Sequence, residues 1–309
     1  GDDGVNTPYS RASGPTDYRR DVQFNTINRV SYKYRGINAR AEADLGGGSK
    51  LSVIGAYDMR NGFTPDGEGD FGPTDTVRTI ARDSLRTMTL ESRLDSEWSD
   101  QFSTLFRVFY SNKMVRARGQ DTIRLTHPVL GPVSILRTTA VKNVGDTYAA
   151  FGTLFFKPNI DWEIAAGLRF DHEDRTANGS VVSATTTILG TATAGGIVPT
   201  AKIKSDEWQP KLSITRKWTP DLMTYVSVAR GYRGGGFNAP TAPTRTYKGD
   251  SAWTYEPGAK YAAPGMSLSG TVFYSDYKDY IGLNSIAPAI GGGLGTVGLT
   301  TPDVESYGV

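Results

Sequence analysis

Polar and apolar positions alternate with period two in segment after segment of this chain. From Ile37 to Leu45, Ile37, Ala39, Ala41, Ala43 and Leu45 fall on one face, and Asn38, Arg40, Glu42 and Asp44 on the other. Trp162, Ile164, Ala166, Leu168 and Phe170 oppose Glu163, Arg169 and Asp171, and Trp208, Pro210, Leu212 and Ile214 oppose Gln209, Lys211, Ser213 and Thr215. Tyr255, Pro257, Ala259 and Tyr261 oppose Glu256 and Lys260. Side chains that alternate in this way lie on the two sides of a β-strand. Residues 100–111, 148–157 and 222–231 are less regular, with Leu105 and Phe109 on the polar side.

The connections between these runs alternate in length. Tight turns are expected at 46–49 (GGGS), 96–100 (SEWSD), 157–161 (KPNID), 217–221 (KWTPD) and 262–265 (AAPG). Long loops rich in Gly, Thr and Asp are expected at 61–81, 113–145, 174–204, 234–251 and 282–303. Connections in compact domains are usually ~4–6 residues, so one edge of the sheet is trimmed and the other elaborated. Transmembrane antiparallel barrels have this asymmetry.

Alternation also suits a soluble sheet with one wet face. Three features favour lipid. The strands reach roughly 10 residues, the ~9–11 that a tilted spanning strand needs. Trp98, Phe102, Tyr110, Tyr148, Trp162, Phe170, Trp208, Trp218, Tyr255, Tyr261 and Tyr274 sit near strand ends, where interfacial girdles lie. The polar face carries dense charge of both signs. The expected fold is therefore all-β: a segment of a large antiparallel transmembrane barrel, with about ten strands and the start of an eleventh over residues 1–309.

Composition narrows this further. With 38% hydrophobic residues and a mean hydropathy of −0.37, a helical membrane bundle is excluded. The longest charge-free stretches, 179–201 and 280–302, are rich in Gly and Thr rather than Leu and Phe. The 34 basic and 32 acidic residues are spread throughout, so there is no basic stripe for nucleic acid. Absence of cysteine removes disulfide, thiolate and Cys-ligated zinc chemistry. The polar opening GDDGVNTPYSR and the unfinished alternation of the closing VESYGV read as cuts through a longer protein.

Residues 206–261 carry a family resemblance. Trp208, Pro210, Lys211 and Leu212 are followed by Tyr225, Ser227, Ala229, Arg230, Gly231, Tyr232, Arg233, Gly235, Gly236, Phe237 and Asn238, and then by Tyr255, Glu256, Gly258 and Lys260. This series resembles the W-x-P-[KR]-L, Y-x-S-x-[AS]-[RK]-G-[FY]-[RK]-x-G-G-[FY]-N and Y-E-x-G-x-K strands of TonB-dependent outer-membrane receptors. Weaker echoes lie at 166–170 and 305–309. The resemblance implies a barrel in the bacterial outer membrane, closed in its family by 22 strands and occluded by an N-terminal plug. It also implies import of a ferric siderophore or similar scarce nutrient, driven by the TonB complex, and it implies contact with outer-membrane lipid. No plug is identified within the chain, so the segment alone is not expected to transport. A passive porin-like channel and a soluble glycan-binding β-module are the alternatives.

Candidate chemistry is sparse. No nucleophile elbow or Ser/His/Asp order can be built around the two histidines, His127 and His172, so no enzyme, cofactor or catalytic residue is expected. The run 171–174 places His172 among carboxylates, but as a metal site it lacks a second nearby histidine. The acidic run 66–70 lacks the later glutamate of a calcium loop, and the glycines of 231–236 lack the Lys-Ser/Thr pair of a phosphate loop. The resemblance implies that Arg230, Tyr232, Arg233 and Phe237 lie where the wall rises to the external mouth, close to the ligand path. Arg116, Arg118 and Arg124 belong to a basic stretch that also includes His127, Arg137 and Lys142. It suits either an anionic ligand or the phosphates of lipopolysaccharide. Phe63, Phe71, Tyr247 and Trp253 offer rings for stacking on a catechol or sugar.

Overall fold

A computed structural model describes residue 26 and residues 29–68, 74–288 and 294–309. Phe71 and the end of the acidic run 66–70 lie outside the described residues. The strands are β1 (Arg29–Gly46), β2 (Ser49–Glu68), β3 (Val77–Glu97), β4 (Phe102–His127), β5 (Gly131–Asn159), β6 (Trp162–Thr187), β7 (Gly190–Lys217) and β8 (Leu222–Arg233). There follow β9 (Gly236–Phe237), β10 (Thr246–Tyr247), β11 (Asp250–Ala263), β12 (Met266–Thr271), β13 (Phe273–Lys278), β14 (Ile281–Pro288), β15 (Leu294–Thr300) and β16 (Val304–Gly308). One antiparallel sheet runs β1-β2-β3-β4-β5-β6-β7-β8-β11-β13-β16, with β12 also on β11. β12 and β13 are one strand interrupted opposite Pro257. The Val272 amide still reaches the Pro257 carbonyl at 3.0 Å, but proline returns no N–H to the ladder. Counted this way, eleven strands cross the sheet.

All five tight turns fall where the sequence puts them. Gly46, Gly47 and Gly48 have φ of 79°, 60° and 76°, which a side chain would disfavour. The β3–β4 and β7–β8 turns share one design. Trp98 and Trp218 amides donate to the Phe102 and Leu222 carbonyls at 2.9 and 2.8 Å. Ser99 Oγ and Thr219 Oγ1 accept from the Phe102 and Leu222 amides at 3.1 and 3.0 Å. Each indole N–H donates to a threonine six residues on, Thr104 at 2.8 Å and Thr224 at 2.9 Å. Both indoles are thereby satisfied while their rings stay exposed.

The long connections differ from the expected loops. Much of 61–81, nearly all of 113–145 and 174–204, and most of the described part of 282–303 are paired strand. β4 and β5 stay in register from Phe102↔Phe156 to His127↔Gly131, and β6 and β7 continue to Thr187↔Gly190. These segments extend beyond the apolar band, where neither face has to meet hydrocarbon, so no alternation in polarity is needed to hold them. Their ladder hydrogen bonds and β-branched residues suffice.

Register shows what each face is made of. Through the paired rows, Ile37, Tyr57, Leu90, Val108, Ala150, Leu168, Trp208, Leu212, Val226, Tyr255 and Tyr274 fall on one side of the sheet. Nothing covers that side among the described residues. Ile37 is 72% exposed, Trp208 57%, Val226 54% and Leu168 48%. Aromatic rows bound the band: Phe102 stacks on Phe156 at 4.7 Å near the tight turns, and Tyr110 meets Tyr148 at 5.0 Å and Phe170 meets Trp208 at 4.7 Å further up. At the lower row Arg216 lies 5.0 Å from the Trp162 ring and 3.5 Å from that of Trp218. Trp162 and Phe170 are eight residues apart in one strand, roughly 26 Å along it or about 20 Å in height at a tilt of ~35–45°, which spans most of the ~25 Å apolar band of an outer-membrane wall. No helix among the described residues is long and apolar enough to cross a membrane.

Adjacent residues in mid-band test this two-faced wall. In the full-length protein refolded into bilayers, Leu212→Arg should cost about 2–4 kcal/mol, whereas Ser213→Arg, on the polar face, should cost little. Urea titration of the folded fraction checks the contrast, and equal losses would refute the assignment of faces.

Candidate functional site

The polar face carries a row of charge in register. Arg93, Arg107, Phe151, Arg169 and Gln209 are successive partners across β3 to β7. Arg107 and Arg169 both lie 5.2 Å from the Phe151 ring. Arg107 pairs with Glu91 at 3.3 Å and Arg169 with Asp171 at 2.6 Å, and Gln209 Nε2 donates to Asp171 at 2.6 Å. Leu105 and Phe109, which broke the sequence pattern, share this face. The row gives the polar side a mixed, ordered surface.

Toward the long-connection edge, here called the mouth, the wall parts. β7 and β8 pair only from Lys217↔Met223 to Lys211↔Ala229, after which β8 follows β11 alone. Residues 234–249 fold back over the polar side of β6. The Arg175 guanidinium donates to the Gly235 carbonyl, and a Cβ on Gly179 would come within 3.1 Å of the Pro240 ring. A Cβ on Gly234 would sit 2.7 Å from a Glu173 oxygen. Asn238 ties the fold-back to the β14–β15 hairpin. Its Nδ2 donates to the Thr244 and Gly298 carbonyls at 3.0 and 3.1 Å, and its Oδ1 accepts from the Gly298 amide at 2.7 Å.

Asp250, 4% exposed, forms the second tie. It holds Arg233 in a bidentate pair and accepts from the Ile281 amide at 3.0 Å, while Arg233 also reaches the Ile281 carbonyl at 3.1 Å. Ala177, Ala201, Pro240, Ala242, Ile281 and Val297 are buried in this assembly, and elsewhere Ala149 is buried. Small and few, they make a local dry core in an otherwise single-layered molecule.

Between the parted strands lies a cleft of about 700 Å³ lined by Lys204, Glu207, Tyr232, Tyr247, Lys248 and Thr300, among others. Burial pushes the Tyr232 phenol up from its ordinary pKa. Lys204 pairs with Asp174 at 2.7 Å, and that hydrogen bond holds the Asp174 carboxyl below the usual range.

The expected site residues therefore separate. Tyr232 lines the cleft. Arg230 stands beside it, engaged by Glu207 at 2.8 Å and the Trp208 carbonyl at 2.6 Å. Arg233 is committed to Asp250, and the Phe237 ring lies 6.0 Å from the Arg175 guanidinium. Arg116, Arg118 and Arg124 are in paired strand rather than loop. Their register puts them on the side of Tyr110 and Val108, facing away from the polar face. The run 171–174 is split by strand alternation: Asp171 and Glu173 lie on the polar face, while His172 meets Asp206 at 2.7 Å on the other. No group of three metal-ligating side chains occurs among the described residues. Asn238 entered the sequence reading only as a motif position and Asp250 not at all, because the partners that give them their roles lie about 60 and 30 residues away.

A family profile described as "TonB dependent receptor-like, beta-barrel" matches residues 1–309. The pesticin receptors of Yersinia pestis and Yersinia enterocolitica are each 26% identical over 137 residues, covering 43% of this chain and 19% of the relative. The crystal structure of the ferric yersiniabactin uptake receptor from Yersinia pestis superposes with a TM-score of 0.64 at 16% identity, covering 82% of this chain and 37% of that one. The matched part of the chain spans about a fifth of the length of these curated relatives.

Two measurements test the mouth. Asn238→Ala strands the Gly298 amide and carbonyl, at roughly 1–3 kcal/mol for each buried group left unpaired. Hydrogen exchange should accelerate at Gly298 and at 244–247 and stay unchanged at 102–110. The Asp174–Lys204 contact should be complete at neutral pH. It is lost in acid as pH falls through the lowered Asp174 pKa, and in strong base as pH rises through the raised Lys204 pKa. Protection of the 174 and 204 amides, corrected for the intrinsic pH dependence of exchange, should hold from about pH 7 downward and fall only below the ordinary Asp pKa of about 3.9.

Proposed function

Because the chain belongs to the family of TonB-dependent receptor β-barrels, transport receptors of the bacterial outer membrane rather than enzymes, we propose that it forms part of the wall and mouth of an importer for an anionic ferric siderophore. Its apolar face meets outer-membrane lipid. The polar face, with its row of arginines and carboxylates, lines an interior in which an N-terminal plug domain of the same protein seats. Energy reaches that plug through the TonB complex.

The observation that carries the ligand class is the cleft at the parted strands. Its volume lies within the ~300–1,000 Å³ of small-molecule sites. Lys248 supplies positive charge, and Tyr232 and Tyr247 supply rings and hydroxyls. Carboxylate and phenolate oxygens around a ferric ion present complementary negative charge. Relatives named as pesticin receptors, and a fold shared with a ferric yersiniabactin receptor, support the same reading. Arg230 and Arg233 act here as braces, and Phe237 packs the fold-back behind the cleft.

The test uses the full-length receptor in cells depleted of iron. Uptake of radiolabelled ferric siderophore should stop when an uncoupler collapses the proton-motive force, and Tyr232→Ala with Lys248→Glu should weaken binding about tenfold, near 1.4 kcal/mol. Uptake that survives the uncoupler would make the protein a passive channel.

A further inference from the structure

The outward side of β1 to β5 carries a second feature, separate from the cleft. Just beyond the aromatic row, registered partners bring basic residues together. One row is Lys33↔Asn61↔Ser84↔Arg116↔Lys142, and flanking rows add Arg82↔Arg118 and the Met59↔Arg86↔Met114 position. These six cations share the face of Ile37, Tyr57 and Tyr110. None of them forms an ion pair among the described residues, in a chain where most mid-wall arginines are paired.

The nearest carboxylates are already engaged. Asp83 points to the opposite face and is held by Arg60 at 2.7 Å, and Asp146 accepts from Tyr110 and Asn112 at 2.8 Å each. Arg82 stacks on Phe63 at 4.8 Å, which fixes its guanidinium at the surface. Between these side chains lies an open depression of about 560 Å³, lined by Lys33, Phe63, Arg82, Arg116 and Arg118.

Height selects the partner. Met59, Asn61 and Phe63 lie two to six residues past Tyr57 on β2, roughly 7–20 Å along the strand. This is headgroup depth, immediately outside the hydrocarbon band on the long-connection side. Cations standing there with no protein counter-charge face lipid headgroups rather than the transport path. We propose that this patch binds the phosphate groups of lipopolysaccharide in the outer leaflet, with Arg116 and Arg118 as the central pair. Guanidinium forks match phosphate oxygens in charge and geometry, and like charges held this close are stabilised when an anion bridges them. The rest of the lipid lies against the apolar face below.

Native mass spectrometry of the full-length receptor in detergent tests the assignment, with bisphosphorylated lipid A, its dephosphorylated form and inorganic phosphate as probes. Wild-type protein should bind bisphosphorylated lipid A at least about tenfold more tightly than the dephosphorylated form. Arg116→Glu/Arg118→Glu should abolish that preference, and Arg116→Gln/Arg118→Gln should reduce it while disturbing the fold less. Lys113→Glu, on the same strand but the opposite face, should leave it intact. Equal binding of both lipids, equal damage from Lys113→Glu, or displacement by millimolar inorganic phosphate would each overturn the proposal.

Discussion

The backbone's need for hydrogen bonds within hydrocarbon governs this molecule. A strand crossing a bilayer finds no water to satisfy its amides and carbonyls, so each must pair with a neighbour. Once the ladder is fixed, the two-residue repeat of side chains is fixed as well, and every residue in the crossing must suit either lipid or the wet interior. Leu212 and Ser213 are neighbours in sequence yet belong to different solvents. Pro257 shows the same constraint from the other side, since one missing N–H suffices to break the facing strand at Val272.

Above the bilayer the constraint relaxes and a different one takes over. There the chain is in water on both sides, and order comes from a few buried polar ties instead of a hydrophobic core. Asn238 and Asp250 each satisfy backbone groups of the β14–β15 hairpin and so fix its position over the parted strands. Such ties are costly to break because the groups they satisfy are shielded from solvent. The cleft is consequently framed by elements that are held, not draped.

Much of the wall was legible from sequence. Alternation located the faces, and the turn residues located all five tight connections, including the paired designs around Trp98 and Trp218. The strand extensions were not legible, because 113–145 and 174–204 lie beyond the hydrocarbon, where nothing demands an apolar face, and leave no periodic trace. Arg116 and Arg118 show what that hides: their type announced an anion, but only the register of β3, β4 and β5 reveals the face on which they stand. Arg233 makes the converse point. The resemblance put it near the ligand path, whereas a carboxylate 17 residues away already occupies it.

The length of β4 to β7 has a mechanical meaning. Each runs 26 to 29 residues without a break in its pairing long enough to act as a joint, and less than half of that lies in hydrocarbon. The two tall hairpins are thus cantilevers rooted in the wall. A load placed at their tips reaches the membrane-embedded rows as torque, carried by the ladder itself, and the gap beside β8 is the place where the wall can yield to it.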